Sequence, residues 1–218
     1  MIRSQDVPRL APAELADQIQ TAFARSGCRH LLITGLPGRG KSTLLQALLP
    51  SYWPLLAGGL LSSLQVLAVE SSASADTICR RVLLWPWQRT SNCAENDGAD
   101  SLQSDDLLKI WQAPPEAWLA GVSGGTGQPM MVKSDAFQQA VAYLRALSSY
   151  PGDFVLIDEL GWLENSQPLF LAQVQELAEQ KRLLAVLRKQ GCKAGDRLRS
   201  RPDSFIADLD CWPDSGYQ

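Results

Sequence analysis

Leu31-Leu32-Ile33-Thr34 form a short apolar run, and Gly35-Leu36-Pro37-Gly38-Arg39-Gly40-Lys41-Ser42 follow it directly. The run suits a strand buried on both faces. Ser42–Leu49 then reads as a helix, closed by Pro50 and Pro54. A buried strand, a turn carrying three glycines and a helix in immediate succession point to an α/β fold.

The octapeptide matches G-x-x-x-x-G-K-[ST] in full, the Walker A pattern of P-loop proteins. Glycines at 35, 38 and 40 let the backbone approach phosphate oxygens closely, and the amide N–H groups form an anion nest at a helix N-terminus. Gly35, Leu36, Pro37, Gly38, Arg39, Gly40, Lys41, Ser42 and Thr43 are therefore the expected nucleotide contacts. Lys41 supplies a point charge to the β- and γ-phosphates, and the Ser42 hydroxyl suits Mg²⁺. Thr43 neighbours the α-phosphate at most, and Arg39 is expected to face solvent. ATP or another nucleoside triphosphate is the implied substrate.

A second constraint lies 116 residues beyond Ser42, where Phe154-Val155-Leu156-Ile157 runs into Asp158 and Glu159. Open α/β sheets place ligands at such carboxyl ends of strands. Asp158 is the expected Mg²⁺ partner, usually through a water, and Glu159 the group that orients or deprotonates a water in line with the γ-phosphate. The plain alternative is a capping or solvated acidic pair.

The rest of the chain sets these motifs in order. Leu15, Ile19, Ala22 and Phe23 share one face of a predicted helix over residues 12–26, ending near Gly27. Strands are expected at 65–69, 78–84, 130–133 and 182–187. Ser134 or Asp135 is expected to cap a helix burying Phe137, Ala140, Val141, Leu144 and Leu147, and Ser166 one burying Phe170, Val174 and Leu177. Residues 88–106 are polar and poor in aromatics, and 121–129 carry four glycines, so 88–128 reads as a flexible insertion. Trp85 and Trp87 at period two share a strand face, and Trp162 and His30 are expected to be structural. The fold class is an α/β P-loop arrangement: a mostly parallel sheet, helices on both faces, and one domain with a polar insertion. Its parts are a helical extension over 1–29, a core over 30–187 and a basic segment over 188–218 expected to hold a last strand.

Composition excludes several classes. Twenty basic against twenty-three acidic residues give a net charge of −3, so a broad nucleic-acid surface is not expected. No apolar run reaches membrane-span length, and the N-terminus lacks a signal-peptide stretch. Five scattered cysteines and one histidine lack zinc spacing and fit reduced thiols in the cytoplasm.

Asp158-Glu159-Leu160-Gly161-Trp162-Leu163-Glu164 resembles the D-E-[IL]-G-x-M-E segment of the small nucleoside-triphosphatase family first described from thermophiles, which includes the human cancer-related nucleoside triphosphatase. The likeness extends upstream through Met131–Phe137 and downstream through Gln167–Phe170 to Leu184–Arg188. It implies a P-loop fold and Mg²⁺-dependent hydrolysis of ATP, GTP and other triphosphates with loose base selectivity and slow turnover. By matching position it sets Lys41 and Ser42 on phosphate and metal, with Asp158 and Glu159 as the acidic centre. The chain departs from the family in its first 29 residues, in the polar insertion, and in lacking a Gly-Arg-Gly-Phe-like stretch after the second strand, where it has Arg80-Arg81-Val82.

The expected activity is hydrolysis of nucleoside triphosphates to the diphosphate and phosphate. A P-loop small-molecule kinase is one alternative, although residues 88–106 offer a single arginine, Arg89. A nucleotide-gated adaptor with slow or no hydrolysis is another, contacting a protein through the N-terminal helix or the basic segment. The basic residues 188–201 read first as a solvated surface or a partner-docking tail; if one of them instead reaches a γ-phosphate, Arg188, nearest the strand end, is the best candidate.

Overall fold

The computed structural model describes residues 10–69, 77–88, 109–123 and 128–212. Most of the expected polar insertion, residues 89–108, lies outside them, as do 124–127 of the glycine-rich stretch. Eight strands form one sheet: β1 His30–Gly35, β2 Leu56–Val69, β3 Thr77–Gln88, β4 Trp118–Ser123, β5 Met131–Val132, β6 Phe154–Leu160, β7 Arg182–Arg188 and β8 Ser204–Asp208. Their order is β5-β4-β3-β2-β6-β7-β1-β8. β2, β6, β7, β1 and β8 run parallel. β3, β4 and β5 extend the sheet antiparallel beyond β2.

Helices cover both faces. α1 (Pro12–Ser26) and α2 (Lys41–Tyr52) lie on one, while α3 (Ser134–Leu147), α4 (Pro168–Gln180) and α5 (Lys193–Arg199) lie on the other. The alternation of β1 explains why its sequence is apolar throughout. Leu31 and Ile33 pack towards α1 and α2, and Leu32 towards α3 and α4, so no position faces water. α1 is part of this core, since Ile19 and Phe23 are buried and Phe23 meets Phe205 of β8 at 5.8 Å between ring centroids. Each buried side chain of that size contributes roughly 1.5–3 kcal/mol.

Several local expectations change. β2 begins at Leu56 rather than near residue 65, across Gly58-Gly59 that reads as a breaker. A Cβ added at Gly59 would fall 2.8 Å from Leu156 Cβ and from its carbonyl oxygen, so glycine here permits close approach to β6. α2 runs through Pro50 to Tyr52 instead of stopping at the proline. α3 has no side-chain cap from Ser134 or Asp135; Lys133 takes the cap position, and its N–H donates to Ala120 O at 2.8 Å, tying the helix start to β4. Ser166 closes a 3₁₀ turn, Leu163–Ser166, and Gln167 precedes α4.

Trp85 is buried, and Trp87 on the same face stacks against Trp53 at 4.7 Å between centroids. His30 is fully buried and accepts the Leu183 N–H at Nδ1 (3.1 Å). Desolvation pushes its pKa down to about 4 despite Asp203 nearby, so it is neutral and structural. No helix among the described residues is long and apolar enough to cross a membrane.

Candidate functional site

Strand register brings the site residues to one end of the sheet. Gly35 stands opposite Arg188, Thr34 opposite both Leu187 and Asp208, and Leu61 opposite Asp158. The β6–β7 ladder breaks between Ile157 and Leu160, which releases Asp158 and Glu159 from regular pairing with β7. The Asp158–Glu159 peptide is cis, and the Glu159 N–H donates to Ser62 Oγ at 3.1 Å.

The glycine-rich loop occupies the same edge. Gly38 (φ 76°) and Gly40 (φ 84°) adopt left-handed conformations with open space where a Cβ would sit, so glycine is needed there for its torsions rather than for room. Gly40 leads directly into α2, whose first N–H groups have no acceptor within the helix. Leu36–Gly40, Ser42 and Thr43 are exposed. A cleft of about 610 Å³ opens over them, bounded by Leu64, Glu159, Arg188, Lys189 and Gln190. The structure thus gathers the loop, Lys41, Glu159 and Arg188 into one cavity, whereas Asp158 is buried and does not line it.

Electrostatics divide these groups. Lys41 Nζ donates to Gly35 O (3.1 Å) and Leu36 O (3.3 Å) and lies 4.0 Å from Glu159 Oε1. Glu159 is about a third exposed, whereas Asp158 is buried. Burial pushes the Asp158 carboxyl up to about 6, opposed by a hydrogen bond from Trp111 Nε1 to Oδ2 (3.0 Å), and by Lys41 and Ser42. Glu164 is buried too, and desolvation pushes its carboxyl up to about 7, although it accepts the Gly161 N–H at 2.8 Å. A Cβ at Gly161 would lie 3.5 Å from Glu164 Oε2 and 3.7 Å from Arg188 Cδ, ordinary contact distances that place both side chains beside this glycine.

Behind the loop stands an ion-pair network. Asp210 accepts from Leu36 N–H (3.0 Å), Arg39 Nε (2.8 Å) and Lys189 Nζ (2.8 Å), and Lys189 also pairs with Asp208. Arg39 is therefore paired with Asp210 rather than simply facing solvent. Three of the six basic side chains over 188–201, Lys189, Arg199 and Arg201, are likewise paired within the fold. Arg199 reaches Asp196 and the Arg188 carbonyl, and Arg201 reaches Glu179 and Asp203. Trp162 is 41% exposed.

Ser42 and Asp158 offer oxygen donors of the kind Mg²⁺ takes, one hydroxyl and one carboxylate. Their proximity, felt as a hydrogen bond from Ser42 that lowers the Asp158 pKa, fits one small hard cation. Among the described residues no cluster of three or more His, Cys, Asp or Glu side chains could hold a metal alone.

Sequence reasoning missed Trp111, Asp210, Lys189 and Leu64 at this site. None belongs to a motif, and each arrives through tertiary packing. The fold and site define the chain at the level of class, an α/β protein with a mixed sheet and a loop-lined cleft at the carboxyl ends of its parallel strands. No family model matches the chain. No curated protein matches it either.

Proposed function

We propose that this chain is a P-loop nucleoside-triphosphatase, hydrolysing the triphosphate to diphosphate and phosphate with Mg²⁺ and loose base selectivity. The observation that carries the reading is the convergence of the glycine-rich loop, Lys41, Glu159 and Arg188 on one cleft. A solvated acidic pair or an incidental glycine turn would not require that meeting. The likeness of Asp158–Glu164 to the thermophile-type family adds to it.

In this reading the loop N–H groups cradle the phosphates, and Lys41 leaves the Gly35 and Leu36 carbonyls to bind the β- and γ-oxygens. Ser42 and Asp158 hold the Mg²⁺ ion. When bound, the cation neutralises charge on the β- and γ-phosphates. Glu159, exposed beside Lys41, orients the attacking water and draws its proton as the new P–O bond forms. Arg188 stabilises charge on the departing phosphoryl group.

The test is Mg²⁺-dependent phosphate release from ATP, GTP, CTP and UTP by wild type, Lys41→Ala and Glu159→Gln. We expect release from all four by wild type and loss in both variants, with Glu159→Gln still binding nucleotide. Tight binding without turnover by wild type would overturn the hydrolase reading.

A further inference from the structure

The segment 109–117 joins the polar insertion to β4 and lies outside every motif in the sequence. It is nevertheless fixed. Trp85, buried in β3, donates its indole N–H to Ile110 O at 3.0 Å. Ile110, Trp111, Ala113 and Ala117 pack against the core on the α1–α2 face, and the Gln112 N–H donates to Lys109 O at 3.0 Å. The outcome is a second indole, Trp111, whose Nε1 donates to Asp158 Oδ2 at 3.0 Å.

We propose that Trp111 is a positioning residue for the metal-binding carboxylate, making segment 109–117 a working part of the nucleotide site. An indole N–H is donor only, so its partner must be an acceptor, and here that acceptor is one named oxygen of a buried carboxylate. Fixing Oδ2 fixes the plane of the carboxyl group and leaves the other oxygen for the cation shared with Ser42. Trp85 holds Ile110, Ile110 sets Trp111, and Trp111 aims Asp158. Partners of this kind around a metal ligand typically change metal affinity by about 10–100-fold when removed.

The inference rests on the nucleoside-triphosphatase reading, and its test separates the two. The affinity of a fluorescent, non-hydrolysable ATP analogue is measured in Mg²⁺ and in EDTA for wild type, Trp111→Phe, Asp158→Asn and the double variant. Wild type should bind more tightly in Mg²⁺. Trp111→Phe should weaken the Mg²⁺ value about tenfold and leave the EDTA value within about twofold. The double variant should lose no more than Asp158→Asn alone, because Trp111 acts only through that carboxylate. Where the phenylalanine variant does not fold, Trp111→Tyr, which keeps a ring but moves the donor, carries the same expectation. Equal weakening in Mg²⁺ and EDTA, or none in either, overturns the role of Trp111. Absence of analogue binding by wild type in both conditions overturns the nucleotide reading and this inference with it.

Discussion

The two halves of the sheet do different work. In the parallel half, β1, β6 and β7 are buried on both faces, β2 is covered as far as Leu61 before exposing Leu64 and Val66, and the carboxyl ends converge on the loop and the acidic pair. In the antiparallel half, β3, β4 and β5, coverage is thinner, and Leu119 and Met131 remain exposed. Right-handed crossovers place parallel strand ends side by side, and that is where a ligand gathers residues distant in sequence. The antiparallel half contributes through its connection instead, by delivering Trp111. On the proposed reading the chemistry would reside in the parallel half, with support from its neighbour.

The sharpest way to break that division is to remove chemistry from the parallel half alone. Lys41→Ala and Glu159→Gln should each lower kcat by roughly a hundredfold or more in phosphate-release assays, with unchanged thermal stability. Retained turnover in either would move the reacting group elsewhere.

Glu164 tests whether the parallel half also carries a cost in stability. Its buried carboxyl holds a proton up to about pH 7, whereas the unfolded chain releases it near the ordinary value of 4.5. The native state therefore binds more protons between those limits, so stability falls as pH rises from 4.5 to 7 and levels off above. Glu164→Gln keeps an oxygen for the Gly161 N–H and removes that slope. Relative to wild type the variant should gain up to about 3 kcal/mol above pH 7 and nothing below 4.5, read by urea unfolding. His30 titrates oppositely and Asp158 in the same sense, but both are shared by the two proteins, so the difference reads Glu164 together with its charge coupling to Glu159 and Arg188.

How much of this was legible in the sequence follows the same division. β1, β6 and β7 announce themselves because burial on both faces demands continuous apolar runs, and residues 35–42 carry their chemistry in consecutive positions. The antiparallel half is harder to read. Gly58-Gly59 looks like a break, but it marks close packing between β2 and β6. Trp111 and Asp210 reach the site over 47 and 174 residues of separation from their partners, and no local pattern encodes such contacts. Arg188 fell between the two cases, suggested by its position after an apolar run and brought opposite Gly35 by register.

Arg188 sharpens the comparison further, since it sits at the end of β7 and lines the cleft. Arg188→Ala should reduce kcat by roughly thirtyfold while KM moves little, because the contact forms mainly with charge developing on the phosphoryl group. Arg188→Lys should recover only part of the loss, an ammonium lacking the planar fork. A rise in KM at constant kcat would reassign Arg188 to simple binding.

The smallest expected effect concerns Asp210, which braces the loop while placing a negative charge behind it. Its carboxylate holds Leu36 N–H and neutralises Arg39 and Lys189, the latter a wall of the cleft. Asp210→Asn keeps an acceptor for Leu36 N–H and removes the charge, so Arg39 becomes available to an incoming triphosphate while Lys189 keeps its pair with Asp208 but loses half of its neutralisation. Removing one unit charge several ångströms from phosphate, close to the protein surface, is worth about 1 kcal/mol. Nucleotide should therefore bind roughly fivefold more tightly at low salt, with the gain fading as ionic strength rises. Titration of a fluorescent nucleotide at two salt concentrations measures this directly. Weaker binding by the variant would mean that holding Arg39 and Lys189 in place matters more to the loop than the charge they would bring to the phosphate.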